Sequence, residues 1–449
     1  MKRKQKVHVI TMGCAKNLVD SERLMAQLRL NDIEITSSPE EADIAVINTC
    51  GFIDSAKQES IDMILAGVKM KESGKLRKVY AIGCLSERYR EELRKEIPEV
   101  DGYFGASQNL KEILNELGAD YKYELLGERL LSTPSHFAYL KISEGCDNPC
   151  SFCAIPLMRG KHVSRTMEEI VSEAHVLASR GVKELIVIAQ DTTYYGLDLY
   201  STRKLPELLE RLGEIEGVEW IRLMYAYPAK FPYEVLEVMG NHPKICKYLD
   251  IPIQHIADEV LKSMRRGVTG RATRRLLEDI RTRVPGIALR TTLIVGYPAE
   301  TPKEFDELLR FVEEVQFDRL GVFTYSQEEG TTAYSLGDPV AHEEKERRKA
   351  LIMQVQREIS AEKNRSLVGT VQRVLLDGQE GRVFVGRTER DAPEVDNSVL
   401  IPSEEPLKAG DFLDIAIEHA SEYDLYGRPM TARGRKRIPP SHETQKHST

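Results

Sequence analysis

"FAYLKISEGCDNPCSFC", residues 137–153, passes from an apolar run straight into three cysteines. The first part reads as a buried strand. Gly145, Asp147, Asn148 and Pro149 then favour turns, and Pro149 has no amide hydrogen to give to a ladder. The stretch is therefore a strand ending in a loop with Cys146, Cys150 and Cys153 at Cys-x3-Cys-x2-Cys spacing. A cubane iron-sulfur cluster needs thiolates converging from one tight loop, and its usual protein set is four. Three leave one iron open. Structural zinc also takes thiolates, but closes its set with four ligands at paired spacings. His162, nine residues on and past "IPLMRG", is the one candidate for a fourth ligand, and its spacing matches no common finger.

From that strand onward, strand and helix patterns alternate. "ELIVIAQD", "WIRLMYAYP", "YLDIPIQH", "IALRTTLIVGYP" and "RLGVFTYS" follow the opening strand, with amphipathic helical stretches between them. Six βα-type units predict a partial (βα)6 barrel with its chemistry at the carboxyl ends of the strands. The cysteine loop follows the first of these strands.

Upstream, "VHVITMG", "ADIAVINTC" and "KVYAIGC" alternate with helical runs, the pattern of a parallel sheet covered by helices. The overall class is α/β. Cys14, Cys50 and Cys84 stand at the carboxyl ends of successive strands, separated by 36 and 34 residues, where ligands collect on open α/β sheets. This placement points to one shared three-thiolate site. Cys246 has no cysteine neighbour and reads as a small buried hydrophobe. Downstream, "TVQRVLLDG", "RVFVGRTE", "NSVLIPS" and "FLDIAIEHA" predict a small antiparallel barrel or sandwich. The expected domains are 1–128, 132–365 and 366–437, with a disordered tail at 438–449.

Composition bounds the partners. The chain has 449 residues, a net charge of −8 and no apolar run near the roughly 20 residues that span a bilayer. "MKRKQKVHVITMGC" reads as a first strand rather than a secretory signal, and seven cysteines without export argue for metal or redox chemistry. A cytoplasmic protein is expected.

Cys146, Cys150, Phe152 and Cys153 reproduce the Cys-x3-Cys-x-aromatic-Cys loop of the radical S-adenosylmethionine enzymes, which the chain resembles. The resemblance implies a 4Fe-4S cluster whose open iron is chelated by S-adenosylmethionine, with Phe152 near the adenine. The cluster would deliver one electron that cleaves the cofactor to a 5'-deoxyadenosyl radical. Over about residues 5–437, the whole arrangement resembles the methylthiotransferases. That likeness implies a second 4Fe-4S cluster on Cys14, Cys50 and Cys84, which binds or supplies sulfur, and a carboxyl-terminal TRAM-like domain. A second S-adenosylmethionine would supply the methyl group.

"MGCAKNLVDSE" and "GCDNPCSFCAIPLMRGKHVSR" look like the branch that modifies an aspartate β-carbon on small-subunit ribosomal protein twelve. The alternatives are a tRNA adenosine methylthiotransferase and, in another class, a non-catalytic iron-sulfur scaffold or electron carrier. Charge bears on the choice. Residues 366–430 carry six Lys and Arg against thirteen Asp and Glu, or −7, nearly the whole chain's −8. Such a domain would repel RNA and attract a basic ribosomal protein. "RGRKR" at 433–437 cuts the other way and could touch ribosomal RNA if the target is met within the particle. An electron donor is also required. By the same resemblance, the strand ends place Gln190, Asp191, Gln254, His255, Gly296 and Glu300 where relatives contact S-adenosylmethionine, and Arg290 or Arg265 is a fork donor for its carboxylate.

Overall fold

The computed structural model describes residues 4–106, 110–122, 128–404 and 406–430. The expected disordered tail and the basic run at 433–437 lie outside them. The chain divides into two compact units, Met1–Ser360 and Ala361–Thr449.

The first unit contains two parallel sheets. In the amino-terminal sheet, β1 (Lys6–Thr11), β2 (Glu34–Ile35), β3 (Ile44–Thr49), β4 (Lys78–Gly83) and β5 (Gly102–Tyr103) lie in the order β2-β1-β3-β4-β5. All of β3 is buried, as a central parallel strand covered on both faces by helices must be. Short β2 and β5, which sequence pattern does not reveal, finish the edges.

The second sheet is built from β6 (Phe137–Lys141), and a hairpin of β7 (Ser143–Glu144) with β8 (Val163–Ser164) follows it. The sheet continues through β9 (Glu184–Ile188), β10 (Trp220–Leu223), β11 (Ile245–Asp250), β12 (Ala288–Val295) and β13 (Arg319–Thr324). Its order, β13-β12-β11-β10-β9-β6, is sequential and all parallel, the topology of a partial barrel. All six expected strands are present. The helices between them start with capping boxes at Thr166/Glu169 and Thr301/Glu304, which satisfy orphan amide donors. The core joins strand faces such as Leu185, Val187 and Leu249 to helix faces such as Leu208, Leu212 and Phe311.

The two sheets are joined by buried ion pairs. Arg88 and Lys57, beside the amino-terminal sheet, meet Glu328 at 2.6 and 3.0 Å. Glu173 on the helix Met167–Ser179 receives Arg129 at 2.9 Å, Arg165 at 2.7 Å and Arg23 at 3.4 Å. Three guanidiniums around one fully buried carboxylate offset the cost of desolvating it.

The second unit is a closed barrel of β14 (Val371–Glu380), β15 (Val383–Thr388), β16 (Ser398–Pro402), β17 (Phe412–Ala420) and β18 (Asp424–Pro429), in the order β14-β15-β16-β18-β17. The expected small barrel is present, with two details beyond the sequence reading. A fifth strand, β18, completes it: only Leu425 and Gly427 of its six residues are buried, so it lacks a strong apolar alternation. The barrel is also not wholly antiparallel, because β16 pairs with β18 in parallel. Glu380, Glu394, Glu404, Asp414 and Glu418 are exposed, so much of the unit's negative charge faces solvent.

Candidate active site

Cys14 N-caps the helix Ala15–Leu30, Cys50 directly follows β3, and Cys84 opens the helix Cys84–Arg88 after β4. Asn17 gathers these three ends. Its Nδ2 donates to Met12 O at 2.9 Å and Thr49 O at 3.0 Å, while its Oδ1 accepts from Cys84 Sγ at 3.6 Å. Gly13 has a φ of +84°, and a Cβ there would stand 2.7 Å from Cys50 Cβ and 2.9 Å from Cys50 Sγ. Only glycine permits that approach. Burial pushes the Cys84 thiol up to about 11, and it also raises Cys50; each feels the neighbouring thiols.

The second trio lies on the loop after β6. Gly145 has a φ of +75°, and a Cβ would fall 2.0 Å from Lys161 O, so the loop closes tightly on itself. Cys146 N donates to Gly160 O, and Asp147 accepts from His162 N, both turns of the β7–β8 hairpin. Burial pushes Cys146 to about 11 and Cys153 to about 12, with the other thiols of the loop adding to each. Among the described residues, no three His, Cys, Asp or Glu side chains form a site for a metal ion. A cubane would place each thiolate of a trio on a separate iron. His162 Nε2 meets Ser164 Oγ at 3.0 Å and stands 3.7 Å from Asp198, while its Nδ1 is buried without a hydrogen-bond partner.

The two trios are neighbours. Cys84 packs in one apolar cluster with Ala154 and Met158, and Ala154 directly follows Cys153. From the helix Ile155–Arg159, Arg159 Nε donates to Cys84 Sγ at 3.2 Å, and its Nη1 pairs with Asp20 at 2.6 Å and Glu144 at 3.3 Å. Arg159 also bonds Asn17 Oδ1, and Lys141 bonds Asp20. Lys141 holds Glu144 at 2.6 Å, and Gln190 Nε2 donates to the same carboxylate at 2.7 Å. A continuous buried network thus links the first trio to the strand ends beside the second. Lys16 crosses from the amino-terminal side as well, with its Nζ 3.0 Å from the centre of the Tyr225 ring.

The cysteine loop has its own cation, Arg266. Its Nη1 donates to Cys150 Sγ at 3.3 Å, and its guanidinium lies 4.3 Å from the centre of the Tyr227 ring, whose hydroxyl reaches Cys150 Sγ at 3.5 Å. Guanidinium donors at thiolate sulfurs stabilise negative charge there, which suits an anionic cluster.

The expected cofactor residues divide. Gln190 Oε1 and Gln254 Oε1 are buried without a hydrogen-bond partner, and Gln254 holds a φ of +72°. Such orphan acceptors at strand ends suit the amino and hydroxyl donors of a nucleoside cofactor. Phe152 packs beside Met264 and Tyr297. His255 is different: its Nε2 meets Glu300 at 2.9 Å and its Nδ1 accepts from Ala257 N at 3.1 Å, so both ring nitrogens are engaged within the fold. Glu300 is also held by Arg348 at 2.5 Å and by Gly296 N at 2.7 Å. Arg290 is tied to Asp250 at 2.9 Å, and Asp250 in turn accepts from Tyr225 N. Asp191 accepts from Asn148 Nδ2 at 2.8 Å, which pins the cysteine loop to β9. Arg265 is exposed. Sequence reasoning passed over Asn17, Lys16, Arg159 and Arg266. "IPLMRG" and "MRRG" contain the two arginines, but nothing in local pattern tells which arginine turns inward.

Family models match three segments. One described as uncharacterized protein family UPF0004 covers residues 6–105, the radical SAM superfamily covers 140–312, and a TRAM domain covers 368–430. The partial barrel and its cysteine loop are those of a radical SAM enzyme. The ribosomal protein uS12 methylthiotransferase RimO of Flavobacterium johnsoniae is 58% identical over 431 residues, spanning 95% of this chain and 98% of that one. Its counterpart in Cytophaga hutchinsonii is 55% identical, spanning 94% and 98%. The chain belongs to this family, the ribosomal protein uS12 methylthiotransferases. Among solved structures, the radical S-adenosylmethionine methyltransferase TsrM of Kitasatospora setae shares the fold, with a TM-score of 0.54 at 15% identity over 71% of this chain and 73% of that one. Among the described residues, no helix is long and apolar enough to cross a membrane.

Proposed function

We propose that this chain transfers a methylthio group to the β-carbon of an aspartyl residue of ribosomal protein uS12. The single observation that carries the reading is the buried contact between the cysteine trios, with Cys84 packed on Ala154 and held by Arg159. In this reading Cys146, Cys150 and Cys153 hold one 4Fe-4S cluster, and Cys14, Cys50 and Cys84 hold a second. When bound, these clusters and S-adenosylmethionine supply one-electron cleavage of the sulfonium, removal of a substrate hydrogen, and the sulfur and methyl of the new group.

The chain's own residues orient and insulate this chemistry. Gln190 and Gln254 offer acceptors to the cofactor and Phe152 an apolar wall, while His255, Gly296 and Arg290 hold the strand ends that present them. Asn17 and Gly13 shape the first trio, and Arg266 and Arg159 place positive charge on Cys150 and Cys84. The acidic outer surface of the carboxyl-terminal barrel supports capture of a basic protein over RNA. The functional boundaries follow at 1–128, 132–365 and 366–437. An external one-electron donor is required.

The test is anaerobic reconstitution with iron and sulfide, followed by reaction with reductant, S-adenosylmethionine and uS12. About eight irons per chain, 5'-deoxyadenosine, and a methylthio group on one aspartate of uS12 are expected. Modification of tRNA adenosine in place of uS12, or two clusters without 5'-deoxyadenosine, would overturn the assignment.

A further inference from the structure

Arg159 and Lys141, between the two trios, share Asp20 and Glu144 as acidic partners, Arg290 holds Asp250, and Arg266 donates to a cysteine sulfur. Lys16 is different. The residue is only 9% exposed, yet among the described residues no carboxylate pairs with its ammonium, which rests 3.0 Å from the centre of the Tyr225 ring. Burying a cation without an anion is costly, and an aromatic face offsets only part of that cost.

The ring beneath the ammonium is fixed in place. Tyr225 stands two residues beyond β10 with a φ of +61°; its N donates to Asp250 at 3.1 Å and its O accepts from Thr192 N at 3.1 Å. Left-handed backbone at a residue other than glycine costs energy and gathers at functional sites. The ammonium also lies between the trios. Lys16 is two residues from Cys14, in the first turn of the helix Ala15–Leu30, and Tyr225 is two residues from Tyr227, whose hydroxyl meets Cys150 Sγ at 3.5 Å. One side chain therefore reaches from the backbone of the first trio to the strand end that touches the second.

We infer that, given methylthio transfer to an aspartyl β-carbon, Lys16 is the specificity-determining residue that receives the carboxylate of the target aspartate. The carbon that is modified has to lie between the two centres, and its carboxylate is bonded directly to it. The negative charge must enter the same space. Thiolates crowd that space on both sides, so an incoming carboxylate is opposed unless a cation meets it. Lys16 supplies one without an ion pair to break first. Its ammonium is a compact charge with three donors, able to take a carboxylate oxygen while it remains on the ring. Adenine, a neutral base, brings no charge to pair with it.

The test uses the anaerobically reconstituted full chain and two substrates, uS12 and uS12 with the target aspartate replaced by asparagine. Lys16→Met, Lys16→Gln and Lys16→Arg are compared with the unaltered chain, reading kcat/KM for methylthio transfer and the dissociation constant of each substrate, the asparaginyl one as a competitor. The unaltered chain is expected to prefer the aspartyl protein by about 100-fold or more. Lys16→Met and Lys16→Gln should lose about 100-fold on the aspartyl protein and little on the other, so that the preference collapses. Lys16→Arg should keep most of it. Iron should stay at about eight per chain in all four proteins. A preference that survives in Lys16→Met or Lys16→Gln overturns the assignment, and an equal fall on both substrates gives the lysine to the sulfur or the S-adenosylmethionine instead. An unaltered chain that accepts both substrates alike overturns it whatever the variants do, including a variant that takes up no iron. No methylthio group on uS12 from the unaltered chain would be a separate result, the failure of the proposed function itself.

Discussion

Arg159 Nε donates to Cys84 Sγ at 3.2 Å, although the arginine belongs to the helix after one cysteine trio and the cysteine to the other. The guanidinium is almost wholly buried, and Asp20 and Glu144 hold it charged, raising its pKa well above the ordinary value despite burial. A fixed cation and an N–H donor at a ligating sulfur favour the more negative, reduced form of a cluster there and raise its reduction potential.

Arg159→Met is therefore expected to lower the potential of the cluster on Cys14, Cys50 and Cys84, measured by potentiometric titration with electron paramagnetic resonance, and to leave the other cluster's potential in place. Methylthio transfer should fall by about 10- to 100-fold while 5'-deoxyadenosine still forms. Arg159→Lys should recover part of the potential. Equal potentials in all three proteins would reduce Arg159 to packing. The Met variant also leaves Asp20 with fewer partners, and a stability loss of about 3–5 kcal/mol is expected in urea unfolding.

Gly13→Ala tests the first trio more selectively. The added Cβ would meet Cys50 within 3 Å at a φ that alanine resists, so the Cys14 and Cys50 loops must part. Iron after reconstitution should drop from about eight to about four per chain. The remaining cluster should still cleave S-adenosylmethionine. Retention of the full iron content would show that the loops tolerate the strain.

Much of this site was legible in advance because parallel βα units carry long-range information in a local pattern. Once "TMGC", "NTCG" and "AIGC" are recognised as successive strand ends, the topology itself brings Cys14, Cys50 and Cys84 to one edge. The six strands of the second sheet were readable for the same reason. Strand β18 was not: Asp424, Gly427, Arg428 and Pro429 hide it, and it is a strand because its neighbours need a partner. Nor was the link between the trios. Nothing in "LMRG" distinguishes an arginine that reaches a sulfur from one in solvent, and nothing in "MRRG" tells that Arg266 is the buried one at Cys150 while Arg265 is exposed. The partners of His255 were equally hidden. A strand-end histidine suggests a ligand contact, yet Glu300 and Ala257 use both its nitrogens.

Arg266→Gln probes the radical trio from within. The variant loses the charge at Cys150 and the stacking on Tyr227, while all three cysteines remain. Iron content should hold, the potential of that cluster should fall, and the rate of 5'-deoxyadenosine formation should drop by about 10- to 100-fold. An unchanged potential together with an unchanged rate would show that the arginine only braces the turn at 263–266.

Glu173 governs the response to acid. Burial alone would raise its pKa, but Arg129, Arg165 and Arg23 overcome this and pull the carboxyl down to about 2 from the ordinary 4.5. A depressed folded-state pKa means stability that is fully present above the unfolded value and is lost as pH falls through the folded one. The contribution, about 3 kcal/mol from a shift of that size, should therefore disappear between pH 4.5 and pH 2. Glu173→Gln is expected to lower stability by about 3–5 kcal/mol at neutral pH, because it leaves buried guanidiniums without their carboxylate. Urea unfolding at a series of pH values should give a steeper acid limb for the unaltered chain than for the variant, the gap between them closing toward pH 2. Parallel curves across that range would show that the three arginines are not what holds this carboxylate charged.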